Sequence, residues 1–350
     1  MTGGRTATEL APETERPDPE QGASFFRSFA ERVPDPNVWR IYRVTLALGT
    51  AYGTAISVIA TFLAAHGVGK LAIGQLAAWF AAGIVTFSLP MGPLVRRFSG
   101  KHVLAVSLAG YAAAVTVFPF VRPFWAIAAL RFFDGACSVG VWVSSESILL
   151  SRSGKHNKAF VTSLYAIAVA CGYVGGPLAA YLCNRFLPQE DAFLLAGLIA
   201  IGAAIYVLLR LSPDLRGSAV SDQSSLASAP QRSAFRLLGR IKTSCFGTFA
   251  YGYFQASVVL FLPLYLMERK GITLQQTTLV PAFFAGGMLL FSNYAGRLGD
   301  RYGHLLLMRI LVGRLHWPYL VANVAAIAAG SIINFFLGDR LVFRRARAAA

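Results

Sequence analysis

Apolar residues recur along this chain in long unbroken blocks, and the polar residues gather in the gaps between them. Six blocks fall at residues 44–65, 71–91, 103–121, 124–150, 160–182 and 192–211. A helix rises about 1.5 Å per residue, so each block reaches most or all of the way across a hydrocarbon layer of about 30 Å. None shows the period of two that a barrel strand needs, and a backbone in lipid must satisfy its polar groups within its own helix. A polar segment at 212–240, containing SDQSSLASAP, breaks the pattern before two more blocks at 241–267 and 272–295. The prediction is an all-α polytopic membrane helix bundle, with a six-helix N-terminal lobe over 44–211 and an incomplete C-terminal lobe of about three to four helices. Residues 1–43 are rich in acids, prolines and polar groups, end near an amphipathic stretch at Phe25, Phe26 and Phe29, and lack a signal peptide's short apolar core. They are expected to form a disordered cytoplasmic tail.

Composition agrees with this pattern. Hydrophobic residues make up 55% of the 350 and charged residues 14%, which is more apolar surface than one soluble core can bury. The net charge of +16 raises nucleic acid as a partner, but the bases lie between apolar blocks rather than along a soluble face. No nucleic-acid partner is expected; anionic membrane lipids and topology account for the charge. One set of alternate loops holds Arg96, Arg97, Lys101, Arg152, Lys155, Lys158, Arg210, Arg216, Arg232, Arg236, Arg240, Lys242, Arg297 and Arg301. The other holds only Lys70, Arg122, Arg185, Arg269 and Lys270. That asymmetry places the amino terminus and the 212–240 linker in the cytoplasm of a cell whose inner (plasma) membrane the chain crosses. Cys137, Cys171 and Cys245 lie in apolar blocks and Cys183 near the end of one, with no CxxC spacing, so buried thiols are expected rather than disulfides or metal ligands.

A weak internal repeat points to two parallel halves: Tyr52-Gly53 is echoed by Tyr251-Gly252, and the segment GPLVRRFSGK from Gly92 by GRLGDRYGH from Gly296, both about 200 residues apart. The residues Gly296, Leu298, Asp300, Arg301 and Gly303 resemble the GxLxDRxG loop of the major facilitator superfamily. The resemblance implies a conformational latch there, in which Asp300 and Arg301 pair with neighbouring helix ends. The first-half copy keeps Gly92, Leu94, Arg97 and Gly100 but has Arg96 where the acid is expected, so a latch through that carboxylate is excluded there; Gly92 and Arg97 either hold the first half in another way or belong to a loop that only sets orientation.

In the fourth block, ALRFFDGACSVG sets Arg131 and Gly135 at the spacing of the same superfamily's fourth-helix arginine signature. An ionisable group inside hydrocarbon costs about 2.5–3.5 kcal/mol on the insertion scale unless it faces a cavity or a partner. Arg131 and Asp134 are three apart and share a helix face. The pair either binds an ionic solute group or responds to a proton, or it is a static ion pair that orients the helix. Glu146, with Ser147, resembles a Glu-Ser pair at the end of the fourth helix in one bacterial branch of the superfamily; it either titrates or bonds the basic loop from Arg152 to Lys158. The fifth block holds Gly172, Gly175, Gly176 and Pro177, which resemble the GxxxGP pattern of many superfamily exporters and antiporters. Small residues let helices approach and proline weakens the ladder, which suits a hinge or a seal against leak. Tyr52 and Thr54 of the first block and Tyr251, Tyr253 and Gln255 of the seventh are candidate solute contacts at the bilayer midplane.

Beyond Gly303 the regular blocks end. LLLMRILVGRLH is short and holds Arg309 and Arg314, and one block at 317–337 finishes in DRLVFRRAR. Ala322, Asn323, Ala326, Ala329, Asn334, Phe335, Arg340, Val342 and Phe343 resemble the last helix of the GtrA-like family, small membrane proteins associated with polyprenyl-linked sugars. The arginines of the tail reach the cytoplasmic side only if a crossing lies between Gly303 and Trp317, where a helix extends about 18 Å. The expectation from the whole chain is a secondary transporter that moves a small solute by alternating access, either coupled to protons, as in proton-coupled export, or facilitative. The alternative is a non-transporting, truncated or fused membrane protein, or an accessory in lipid-linked sugar handling. No nucleotide loop, metal cluster or acid–base constellation stands out, so neither a cofactor nor an enzyme is expected.

Overall fold

The protein is described here from a computed structural model that covers residues 35–153, 157–212, 249, 252–287 and 289–290, and these contain no strand. The six predicted blocks are six helices: α1 (Pro36–Ala65), α2 (Lys70–Phe98), α3 (Gly100–Val117), α4 (Phe124–Ser151), α5 (Lys158–Phe186) and α6 (Gln189–Arg210). Each is long and apolar enough to cross a membrane.

Two helix ends differ from the block boundaries for identifiable reasons. α1 begins at Pro36, inside the stretch expected to be tail, because Asp35 caps it: the Asp35 carboxylate accepts from the Asn37 amide at 2.8 Å and pairs with Arg152 at 3.1 Å. Arg152 also donates to the Ser212 carbonyl, and the Ser212 amide donates to Asn37, so this network ties the start of α1 to the ends of α4 and α6. Partial burial pushes the Asp35 carboxyl up, but the Asn37 amide and the Arg152 guanidinium together outweigh it and hold the group below its usual range. At the other boundary, the GPLVRRFSGK stretch expected to be a loop is helical through Phe98. The turn into α3 is made by Ser99 alone, a non-glycine residue at φ 72°.

The helices pack in the spatial order α2, α4, α3, α6, α1, α5, so that α1 lies against α5 and α6, α3 against α4 and α6, and α2 against α4. α1 is the most enclosed. Its seam with α5 is a meeting of two GxxxG stretches, Gly49 with Gly53 and Gly172 with Gly176. A Cβ at Gly172 would stand 2.7 Å from the Gly49 Cα, and one at Gly176 2.5 Å from the Thr50 carbonyl oxygen, so only glycine allows this approach. The Thr54 hydroxyl closes the seam by donating to the Gly176 carbonyl at 3.1 Å.

The second lobe is described in part. A helix at 252–256 runs through a π turn, Ser257–Phe261, into α7 (Leu262–Lys270). Pro263 accounts for the π turn: it brings no N–H, and in a regular helix its ring would press on the carbonyl of Val259. Gly271 at φ 64° ends α7 in the left-handed conformation. A capping box between Thr273 and Gln276 opens α8 (Leu274–Thr277), and helix resumes at 280–287. These elements meet the first lobe through the Lys70–Glu268 ion pair and through Gln275, which donates to the Asn184 carbonyl at 3.5 Å. The tail to residue 34, the linker at 213–248, Tyr251, the Gly296, Asp300, Arg301 and Gly303 loop and the segment 305–350 lie outside the described residues.

Candidate functional site

Between the six helices and the segment 252–260 of the second lobe lies a cavity of about 400 Å³. Two seams set the positions of its polar residues. Gly83 of α2 and Gly135 of α4 face backbone carbonyls of the opposite helix, Phe132 and Phe80 respectively, at distances that leave no room for a Cβ. That close approach brings the Phe80 ring under the Arg131 guanidinium, 4.3 Å from its centroid. On the other side, the α1–α5 seam turns Tyr52 inward, where it stacks on Tyr111 of α3 with ring centroids 5.3 Å apart and meets Tyr173 of α5 edge-on at 6.1 Å.

Arg131 and Asp134 form an ion pair on the cavity wall, and Asp134 is only 4% exposed. The second carboxylate oxygen accepts from the Ser138 hydroxyl at 3.4 Å, and Ser138 in turn shares a hydrogen bond with the Tyr52 hydroxyl at 3.4 Å. A polar chain therefore runs from Arg131 through Asp134 and Ser138 to Tyr52, linking α4 with α1. Gln255 lines the cavity from the opposing lobe. The rest of the lining is mostly apolar, with Phe118, Trp142 and Phe193 adding aromatic surface. Such a cavity can hold a small molecule with one charged end, because the volume suits it and the single fixed ion pair is the dominant polar feature.

The structure sorts the residues expected at the site. Arg131, Asp134, Tyr52 and Gln255 are brought together around the cavity. Glu146 is exposed and lies away from the cavity lining, and Arg152 of the neighbouring basic loop pairs with Asp35. Thr54 faces α5 rather than the cavity, and Tyr253 is 71% exposed. Gly172, Gly176 and Pro177 lie in a continuous α5, where the glycines and the proline ring touch α1. Gly92 is within α2, and the Arg97 guanidinium rests 5.4 Å over the Phe98 ring with no carboxylate partner among the described residues. Tyr111, Tyr173, Phe80 and Ser138 are site residues that reading the sequence did not single out. A tyrosine in an apolar block carries no sign of which neighbour it will face; the one available signal was Ser138, a helical turn after Asp134.

The match to known proteins follows the same architecture. The sequence model of the Major Facilitator Superfamily matches residues 42–343. The chain belongs to that superfamily. The match takes in the segment whose residues resemble a GtrA-like helix, so one family description runs across the point where the regular blocks end. An uncharacterised MFS-type transporter of Bacillus subtilis, YfkF, is 24% identical over 307 residues, covering 83% of this chain and 75% of the relative. The MFS-type transporter YcaD of Salmonella paratyphi B is 23% identical over 275 residues, covering 76% of this chain and 67% of the relative. Among solved structures, a bacterial homologue of the human lysosomal transporter Spinster, inward-facing and occupied, superposes with a TM-score of 0.62 at 13% identity, over 79% of this chain and 62% of that one. The nucleoside transporter NupG superposes with a TM-score of 0.65 at 13% identity, over 78% of this chain and 71% of that one. The facilitator fold and a multi-pass membrane protein are thereby established, and the chain spans about two thirds of the length of these relatives.

Proposed function

We propose that this protein is a secondary transporter that carries a small solute across the inner membrane by alternating access, with the amino terminus and the linker on the cytoplasmic side. The observation that supports this reading most strongly is the Arg131–Asp134 pair, buried within the bundle yet exposed to a cavity that the second lobe helps to close. A buried ion pair costs desolvation and is weak evidence for stability; its position on the wall of a cavity favours a role in binding or coupling. Family membership and the transporter names of the relatives support the same reading.

On this view the lobes rock about the cavity. On this reading Lys70 with Glu268 and Gln275 with Asn184 hold the two lobes together at the periplasmic end. The α1–α5 glycine seam keeps that side of the first lobe together as it rocks, Pro177 in the same stretch is the hinge point at which α5 can bend, and Gly296, Asp300, Arg301 and Gly303 form a latch at the cytoplasmic face. Asp134 takes up and releases the coupling proton, and proton-coupled export is one direction that such a cycle permits. The GtrA-like resemblance of the last thirty or so positions would imply an accessory role in lipid-linked sugar handling; it rests on those positions alone, and the cavity supports transport. The test is solute flux in proteoliposomes holding the full chain, across a panel of anionic, cationic and neutral solutes with and without an imposed pH gradient. Flux of some solute that changes with the gradient in wild type and loses that response in Asp134→Asn is expected. A panel in which no solute moves faster than through empty vesicles contradicts the proposal.

A further inference from the structure

The cavity reading leaves open what sign of charge the solute carries, and the chemistry of the Arg131–Asp134 pair decides between the two. A charged solute group that enters this site must take the place of one partner in the pair. The two partners are not equivalent. A guanidinium does not give up its proton in a protein, whereas a carboxylate can accept one and become a neutral hydrogen-bond donor. If a cation displaced Arg131 from Asp134, the arginine would remain charged inside the bundle with the Phe80 face as its remaining partner among the described residues, which is the costly outcome of breaking a buried pair. If an anion displaces Asp134 from Arg131, the carboxylate protonates on Oδ1, the oxygen that accepts from Ser138, and that hydrogen bond reverses: the Asp134 O–H donates to the Ser138 hydroxyl, which can donate in turn to the Tyr52 hydroxyl. That exchange leaves no uncompensated charge.

We infer that the solute carries one singly charged anionic group, such as a carboxylate, sulfonate or phosphodiester, on an aromatic or otherwise apolar body, and that it moves together with one proton. This rests on the cavity being the solute site. The charges balance at each step. One proton from solvent binds a carboxylate oxygen of Asp134, the ion pair opens, and one monoanion pairs with the freed Arg131, so the cavity holds zero net charge before and after. Proton and anion travel in the same direction, outward when the anion is more concentrated inside and inward when the proton gradient dominates. The other titratable groups facing Asp134 do not compete for this role. They are the phenols of Tyr52 from α1 and Tyr111 from α3, with Tyr173 of α5 beyond Tyr52, and the thiol of Cys137 on the same helix. α2 presents the Phe80 ring, and the second lobe presents the uncharged Gln255.

The apolar body of the solute follows from the walls. Tyr52, Phe80, Tyr111 and Tyr173 form an aromatic enclosure beside the pair. The Tyr111 hydroxyl is buried on the cavity lining and has no hydrogen-bond partner among the described residues. A buried hydroxyl without a partner is a second pointer to a ligand, one with a polar atom within reach of α3 as well as of Arg131.

The experiment compares benzenesulfonate with benzyltrimethylammonium, two single-ring ions of permanent and opposite charge, binding to the purified full chain in nanodiscs by calorimetry in buffers of different ionisation enthalpy. Benzenesulfonate is expected to bind in wild type with uptake of about one proton per anion, and to weaken by up to about tenfold per pH unit as pH rises, the limit for one linked proton. Asp134→Asn should bind it without proton uptake and without pH dependence. Arg131→Gln should lose binding more than tenfold, with Arg131→Lys retaining part of it and showing that the fold survives. Preference for benzyltrimethylammonium, benzenesulfonate binding without proton uptake, or binding of neither ion would each overturn the inference. Solute flux in the proteoliposome panel that is confined to cations or neutral solutes would overturn this inference and leave the transporter reading intact, whereas no flux at all would remove both.

Discussion

The two faces of α1 show how one helix serves two opposite demands. Towards α5 it presents Gly49, Gly53 and Thr54, and the helices meet so closely that backbone touches backbone, with one hydroxyl satisfied in the seam. Towards the cavity it presents Tyr52, Ala55, Ile56 and Ile59, and the polar chain there runs from the Tyr52 phenol to the ion pair, beside the Tyr111 phenol of α3, which has no hydrogen-bond partner among the described residues. The first face has nothing to exchange with a solute, and its cohesion is dispersion from close packing. The second keeps its polar groups adjustable. The seam is rigid so that the opposite face can change partners without the bundle coming apart.

Five variants break or sharpen this contrast. The largest effect belongs to Asp134→Ala, which strands the Arg131 guanidinium and is expected to destabilise the lobe by about 3–5 kcal/mol. The double change of Arg131→Met with Asp134→Leu should restore thermal stability towards wild type while abolishing coupled flux; a thermal melt of both variants in detergent checks it. Next comes Gly172→Val, which forces a side chain against α1 and should cost about 1–3 kcal/mol in the same melt, with reduced yield of folded protein. An unchanged melting temperature would show that the seam is looser than described. Tyr111→Phe should leave the melt alone and weaken solute binding by about 1 kcal/mol, the worth of one hydrogen bond. The smallest thermodynamic effect is at Lys70→Gln, which opens a half-exposed pair worth about 0.2–1 kcal/mol. It should shift the balance of access towards the periplasmic side, read as faster labelling of an engineered periplasmic cysteine.

The six helices of the first lobe were readable from the sequence because crossing a membrane imposes a length and an apolarity that leave few alternatives. Arg131 and Asp134 were readable for the same reason: a charge inside such a block needs an explanation wherever it sits. Direction around a helix was harder to read. Thr54 and Tyr52 are two residues apart and face α5 and the cavity respectively, and only the arrangement of neighbouring helices separates them. Gly49 passed unnoticed because a lone glycine in an apolar run gains meaning only from the Gly172 opposite it. The true start of α1 was hidden because its cap, Asp35, lies in a polar stretch that reads as tail, and the carboxylate partner of Arg152 proved to be that cap. The same pairing carries a pH expectation: since the folded-state carboxyl of Asp35 lies below its ordinary range, its contribution is complete at neutral pH and is lost as pH falls through that depressed value.

Alternating access is the central claim, and a single thiol on the cavity wall tests it most directly. With Cys137, Cys171, Cys183 and Cys245 replaced by serine and Gln255→Cys introduced, a membrane-impermeant maleimide is applied to one side of the bilayer at a time. Labelling from the cytoplasmic side and, in a separate sample with solute or a pH gradient imposed, from the periplasmic side is the predicted result. Labelling from one side alone under every condition, in a protein that still moves solute, would contradict the account.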